Sequence, residues 1–219
     1  MNTSTHTKTR PARRLTRRLG LFAALAALAA LMVAPASSLA AVRFGSLLNP
    51  TVQPSNSLPG LGCEANQEVP SSTCTMVQEE AYGRPDGGEL APKTGTIKRI
   101  RLIAGGPGSF QLQIAKVKRS TLFGTNEAKV VRNGPRISYT GQTEANEEEG
   151  RYNVESFPVS VPVKKGQQLA LQGNITSMIR CSSGGDNTLI YTPPLSAGSS
   201  FRPATNTDGC WILMEAVIK

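Results

Sequence analysis

A single histidine, His6, occurs in the 219 residues, and it lies in an N-terminal stretch built like an export signal. None follows residue 40. That removes Ser-His-Asp and Cys-His catalysis and every histidine-based metal site. Catalysis is left with carboxylates, lysines or a Ser-Lys pair, and beside them stand the four cysteines Cys63, Cys74, Cys181 and Cys210. The cysteines have no CxxC spacing, which argues against a metal, and an even set in an exported chain reads as two disulfides. Three pairings are open. The sequence-local one, Cys63–Cys74 with Cys181–Cys210, is preferred, and on the chain-entropy account each loop contributes roughly 3 kcal/mol. No set of residues marks a catalytic centre, and no cofactor or metal is expected.

Binding chemistry has three candidate carriers. The first is basic. "GTIKRIRLIA" and "FQLQIAKVKR" flank "GGPGS", and a hairpin about that loop would set Ile100 opposite Ile114 and Lys98 opposite Lys116. Arg99 and Arg101 fall on the other face. Like charges opposed across a strand pair are mildly destabilising, and an anionic wall polymer would offset them. A solvated strand end, where long side chains splay apart, accounts for them without a ligand and is the simpler account. The second carrier is acidic, "TEANEEEG", with Glu144, Glu147, Glu148 and Glu149. Consecutive glutamates point in different directions and do not gather the six to eight oxygens that calcium takes, so this reads as a solvated loop. "GGDN" at 184–187 reads as a turn, and the "NIT" at Asn174 as a chance sequon. The third carrier is aromatic. Only ten aromatic residues follow residue 40. Trp211, beside Cys210 in an apolar run, is expected to pack against a disulfide, which leaves Tyr152, Tyr191 and Phe201 as possible stacking platforms. Residues 192–209 form the longest irregular stretch, a reasonable place for binding.

The elements that must position these groups are strands. Phe110, Leu112 and Ile114 alternate with Gln111 and Gln113, a period of two. Further strands are expected at 128–132, 136–140, 151–163, 167–172, 175–180, 188–192 and 210–218, with shorter ones near Val42–Leu48 and Thr75–Gln78. No window past the signal has helical periodicity. Short strands punctuated by Gly and Pro argue for an all-β, two-sheet antiparallel sandwich. In "FPVSVPVKKGQQLALQG" (157–173), Phe157, Val159, Val161 and Val163 share one face. Pro158 and Pro162 are four apart, so both missing N–H donors lie on the same side of the strand. That is tolerated at a sheet edge and blunts edge-to-edge pairing. Tyr152 and Val154 are apolar in the opposite phase, so a bulge or break is expected near Ser156.

The N-terminal forty residues stand apart. Lys8 and five arginines precede the apolar run "LGLFAALAALAALMVAPA", and small residues at Ser38 and Ala40 suit cleavage after Ala40, with Ala36 as the competing site. This segment takes six of the 24 basic residues and none of the 15 acidic ones, leaving 18 against 15, a net charge of +3. The whole-chain basicity is then mostly that of the export signal, and nucleic-acid binding loses most of its support. The expected organisation is a signal peptide at 1–40, a flexible arm at 41–62 and one disulfide-stapled domain at 63–219. No stable membrane span is expected once the signal is removed.

The stretch "FPVSVPVKKGQQLAL" resembles the strand-turn-strand of jelly-roll β-sandwiches. The Arg-rich start, the Ala-rich signal, "YTPPL" and the final "CWILMEAVIK" are similar to uncharacterised exported proteins of actinobacteria. The resemblance covers roughly residues 94–218 and implies a jelly-roll fold and a secreted or envelope address, with no catalytic residues. Together these readings point to an exported, non-enzymatic β-sandwich that binds an extracellular or cell-envelope polysaccharide. The candidate ligand residues are Lys98, Arg101, Lys116, Tyr152, Tyr191 and Phe201. The alternatives are a structural or adhesive protein with other envelope proteins as partners, and a carboxylate-based glycan hydrolase or lyase.

Overall fold

The structure is a computed structural model describing residues 41–48, 63, 73–85, 87–120, 125–141, 152–173 and 181–219; of 181–187 and 210 only the backbone is described. Among these residues eleven strands form: β1 (Val42–Gly45), β2 (Cys74–Gln78), β3 (Gly95–Leu102), β4 (Gly108–Lys118), β5 (Glu127–Tyr139), β6 (Glu155–Val163), β7 (Gln168–Gly173), β8 (Cys181–Tyr191), β9 (Arg202–Pro203), β10 (Asn206–Ile212) and β11 (Met214–Ile218). The first sheet has the order β1-β11-β3-β6, and the second β10-β8-β2-β7-β4-β5-β9.

The pairings are nested. β4 pairs with β5, β3 with β6, β2 with β7 and β1 with β11, all antiparallel. Each pair encloses the previous one in sequence, and successive pairs alternate between the two sheets. A long folded hairpin wound in this way is a jelly roll. β8, β9 and β10 are an insertion before the last strand. β8 extends the second sheet beyond β2, β10 flanks β8, and β9 lies beside β5 at the other edge.

Alternation places the core. Phe110, Leu112 and Ile114 of β4 and Leu169 and Leu171 of β7 face Ile97, Ile100, Leu102, Met214, Ala216 and Ile218 of the first sheet. Val161 and Val163 close the layer from β6, the edge strand. Pro158 and Pro162 stand exposed on its outward positions, and among the described residues β6 pairs with β3 alone. The phase change near Ser156 is a break, since β6 begins at Glu155 and Tyr152–Val154 lie outside it.

Several expected elements differ. β3 and β4 are not a hairpin, because they lie in opposite sheets. The intervening loop is a crossover, so Lys98 and Lys116 are not opposed. A bulge explains why β3 misled. Ile97 and Ile100 both face the core although three apart, and Lys98 and Arg99 between them are both exposed. The segments 128–132 and 136–140 are one continuous strand, β5, whose Asn133-Gly134-Pro135 is a register irregularity and not a turn. The run 210–218 is two strands that change sheets at Leu213. The backbone of 184–187 lies inside β8, opposite the irregularity between Asp208 and Cys210. The expected arm supplies β1, paired with β11 along its length. The expected signal at 1–40, the glutamates at 144–149, Asn174 and the strand at 175–180 lie outside the described residues.

Cys63 and Cys74 are joined in a disulfide that ties the segment before β2 to its first residue. The proposed Cys181–Cys210 pairing lies outside the described side chains. In the backbone register Cys210 stands opposite Ser183 and Cys181 opposite Ile212.

Candidate binding surfaces

The outer face of the second sheet is divided in two. One half is apolar: Val77, Ala115, Ala128, Val130, Ala170, Leu189 and Tyr191 form a second buried cluster. Residues 192–205 cover it as a strap. Leu195 plugs the cluster, Ala197 bridges to Val130, and Gly198 donates its N–H to the Val130 carbonyl at 2.9 Å. Thr205 returns the strap to β8 by donating to the Ile190 carbonyl. The stretch read as a binding loop therefore seals an apolar face.

The strap stops at a polar boundary. Gln113, wholly buried, has its Nε2 at 3.2 Å from the Leu195 carbonyl, 2.9 Å from Gln172 Oε1 and 3.0 Å from Asn133 Oδ1. Its own Oε1 accepts from the Thr75 hydroxyl, which in turn accepts from the Leu195 N–H. Beyond this network none of the described residues covers the sheet, which forms an open cleft of about 280 Å³ lined by Thr73, Gln111, Asn133, Arg136, Gln172 and Gly173.

Local structure explains why amides collect there. Gln111 and Gln113 are the outward alternates of β4, and Gln172 stands opposite Gln111 on β7. β5 contributes Asn133 and Arg136 through two bulges, which set Asn133 opposite Gln113 and Arg136 opposite Gln111. Without them Asn133 would point into the core; instead Gly134 faces inward, against Leu112 and Val161. Bulges commonly re-aim side chains in this way beside binding sites. Gln111 donates to the Gly134 carbonyl within the bulge, and the Arg136 guanidinium donates to the Ser109 hydroxyl at 3.0 Å. The cleft thus presents oriented amide donors and acceptors with one cation at its rim, a set suited to hydroxyl groups.

The outer face of the first sheet is different in character. β11 turns Met214, Ala216 and Ile218 to the core, so Glu215 points outward, yet its carboxylate is only 1% exposed. Three guanidinium groups cover it. Arg101, its register partner on β3, lies at 2.6 Å and Arg43 of β1 at 3.4 Å, while Arg84 reaches Oε1 from the 79–91 loop. Arg84 is itself held by donating Nε to the Gly45 carbonyl at 2.5 Å.

The six residues expected to bind ligand are not brought together. Lys98 is exposed at the β3 bulge, and Arg101 is half-buried against Glu215. Lys116 is on the other sheet, opposite Lys129, and that like-charged pair is relieved because the Lys129 ammonium sits 4.7 Å over the Phe201 ring. Phe201 therefore already stacks on a cation. Tyr152 lies in the core and Tyr191 beneath the strap, 5% and 0% exposed, so neither offers a ring to a sugar. Trp211 packs edge-on against Tyr82. Sequence reasoning missed Thr73, Asn133, Arg136 and Gln172. The available signal was the Gln-x-Gln alternation on β4, read only as the polar complement of an apolar face.

The chain matches no family model, no curated protein and no solved structure. Among the described residues no helix is long and apolar enough to cross a membrane, and no cluster of His, Cys, Asp or Glu could hold a metal.

Proposed function

We propose that this protein is an exported, non-enzymatic binding module that takes a polysaccharide of the cell envelope or its surroundings in the amide-lined cleft. The observation that carries the reading is the cleft itself. Its polar lining is fixed in orientation by a buried glutamine and by two bulges in β5, and the strap stops where it begins. A hydroxyl-rich polymer laid across Gln111, Gln172 and Arg136 would exchange water for oriented donors and acceptors. Export rests on the basic, alanine-rich N-terminal segment.

The alternatives draw less support. An adhesive protein would use an apolar patch or an open sheet edge. Among the described residues Leu47 is the one exposed large apolar side chain. The β6 edge carries two prolines, and the 82–88 loop bonds to the β1 edge through Gly45 and Leu47. A hydrolase or lyase would place paired carboxylates in the cleft, and among the described residues its lining holds none.

Co-sedimentation of the oxidised protein with insoluble polysaccharides at two salt concentrations tests the reading. Binding to at least one neutral polymer is expected to survive high salt. It should fall about tenfold or more in the Gln111→Ala/Arg136→Ala double variant, since each lost hydrogen bond is worth about 1 kcal/mol and more where a charge is involved. Equal binding by the variant would remove the cleft from consideration.

A further inference from the structure

We infer that the outer face of the first sheet is a second site, one that binds a linear carboxylate-bearing polymer by its charges. The register lays out a grid. Arg43, Val217 and Arg99 form one row across β1, β11 and β3, and Gly45, Glu215 and Arg101 form the next. Arg84 completes the second row from above. Three arginines against one carboxylate leave two positive charges in excess, and the exposed Arg99 and Lys98 raise this to four. Among the described residues no other carboxylate pairs with these groups. The neighbouring outward positions of β6, Ser156, Pro158, Ser160 and Pro162, are exposed and uncharged, and so extend the face without opposing its field.

Neutralising Glu215 does not require this arrangement. Arg101 and Arg84 already occupy both carboxylate oxygens. Arg43 adds a long contact at 3.4 Å with its side chain half exposed, and Arg99 takes no part. Like charges gathered on one sheet face repel, and a bound anion removes that repulsion. Guanidinium groups suit the task because their planar fork pairs with carboxylates in two-point contacts. Glu215 itself shows these guanidiniums accepting a carboxylate.

The spacing selects a polymer. Arg43 and Arg99 are two strands apart, about 10 Å, and Arg99 and Arg101 are two residues apart, about 7 Å. A single anion reaches one of them, whereas a chain with repeating carboxylates reaches several. This site is on the opposite sheet from the cleft and stands independently of it.

The test is the affinity of the full protein for polygalacturonate, measured against galacturonic acid, polyphosphate and duplex DNA at low and high salt. Polygalacturonate is expected to bind with marked salt sensitivity, the monomer at least tenfold more weakly. Arg43→Ala/Arg99→Ala should lower polymer affinity at least tenfold and reduce the salt dependence, with the melting temperature little changed because Arg101 and Arg84 still hold both oxygens of Glu215 and Arg99 is solvent-exposed. Gln111→Ala/Arg136→Ala, in the cleft, should leave this binding intact. The inference is overturned if polygalacturonate fails to bind, if the arginine variant binds as well, or if the monomer matches the polymer. It is also overturned if polyphosphate or DNA binds as tightly, which would mark a non-selective cationic surface.

Discussion

Replacing Gly45 by alanine is expected to lower the free energy of unfolding by about 3 kcal/mol, through strain and overpacking together. Gly45 ends β1 at φ +92°, a conformation side chains rarely adopt. A Cβ there would lie 2.5 Å from the Met214 carbonyl oxygen, 3.1 Å from Leu169 and 3.2 Å from Gln78 Oε1. Backbone on β11 cannot step aside cheaply, because the next residue is tied into the seam between the sheets. Ser46 donates its N–H to the Met214 carbonyl and its hydroxyl to the Ile212 carbonyl at 2.6 Å, while Gln78 Nε2 reaches Ser46 Oγ at 2.7 Å and the Ile212 carbonyl at 2.8 Å. Ser46 and Gln78 are fully buried, so a displaced partner leaves polar groups dry. Gly166 is the control. It has φ +79° in the Lys164-Lys165-Gly166 turn and open space around it, so Gly166→Ala should cost only the conformational penalty of a side chain in the left-handed region, about 1 kcal/mol. Denaturant unfolding of the two variants separates the terms. Equal losses would show that the Met214 contact carries no energy.

The same seam shows what the sequence could and could not convey. Period-two patterning in β4, β6 and β7 was legible because each strand has one dry face and one different face. Pro158 and Pro162 identified an edge, since a missing donor is a local fact with one structural consequence. Pairing was not legible. "GGPGS" between two apolar-alternating strands satisfies the chemistry of a hairpin and of a crossover equally. The choice was made by partners far away in sequence, Ile97 with Ile218 and Leu112 with Leu171. Bulges were invisible for a related reason. A strict alternation rule places Lys98 on the core face and Asn133 likewise, and the extra residue that reverses each is fixed by the neighbouring strand. The cleft went unread because it is assembled from alternates on three strands and a strap edge. The arginine face is half legible, since Arg99 and Arg101 fall on one face by alternation while Arg43 and Arg84 arrive through topology. The burial of Tyr152 and Tyr191 is not legible, because tyrosine is at home both inside and outside. The strap that buries Tyr191 carries little periodicity to announce it.

Two buried tyrosines make alkaline unfolding the second large effect. Tyr139 and Tyr191 are 4% and 0% exposed, and neither hydroxyl has a hydrogen-bond partner among the described residues. Burial pushes both phenols well above their ordinary range. Glu155 pushes Tyr139 further in the same direction and Glu79 does so for Tyr191, whose nearby Arg202 only partly opposes it. Below the ordinary tyrosine value near 10, both folded and unfolded chains keep these protons, and they confer no pH dependence. Above it the unfolded chain releases them while the folded chain cannot, so the unfolded state binds fewer protons and stability falls as pH rises. Each tyrosine contributes a slope of about 1.4 kcal/mol per pH unit, and the two together approach 3 kcal/mol per unit. A rise of one and a half units past pH 10 then removes about 4 kcal/mol, a large part of the stability of an ordinary domain. Lysines titrate in the same range, so the diagnostic quantity is the difference between proteins. Tyr139→Phe and Tyr191→Phe should each flatten the slope by about 1.4 kcal/mol per unit. At neutral pH they should change stability little, because an unpartnered buried hydroxyl contributes no hydrogen bond to lose. Denaturant unfolding from pH 9 to about 11.5, followed with tyrosinate absorbance, measures both quantities. If the Tyr191→Phe slope matched that of the wild type, the phenol would be reaching water in the folded state, and the strap over the second sheet would be opening far more readily than its hydrogen bonds to Val130 and Ile190 imply.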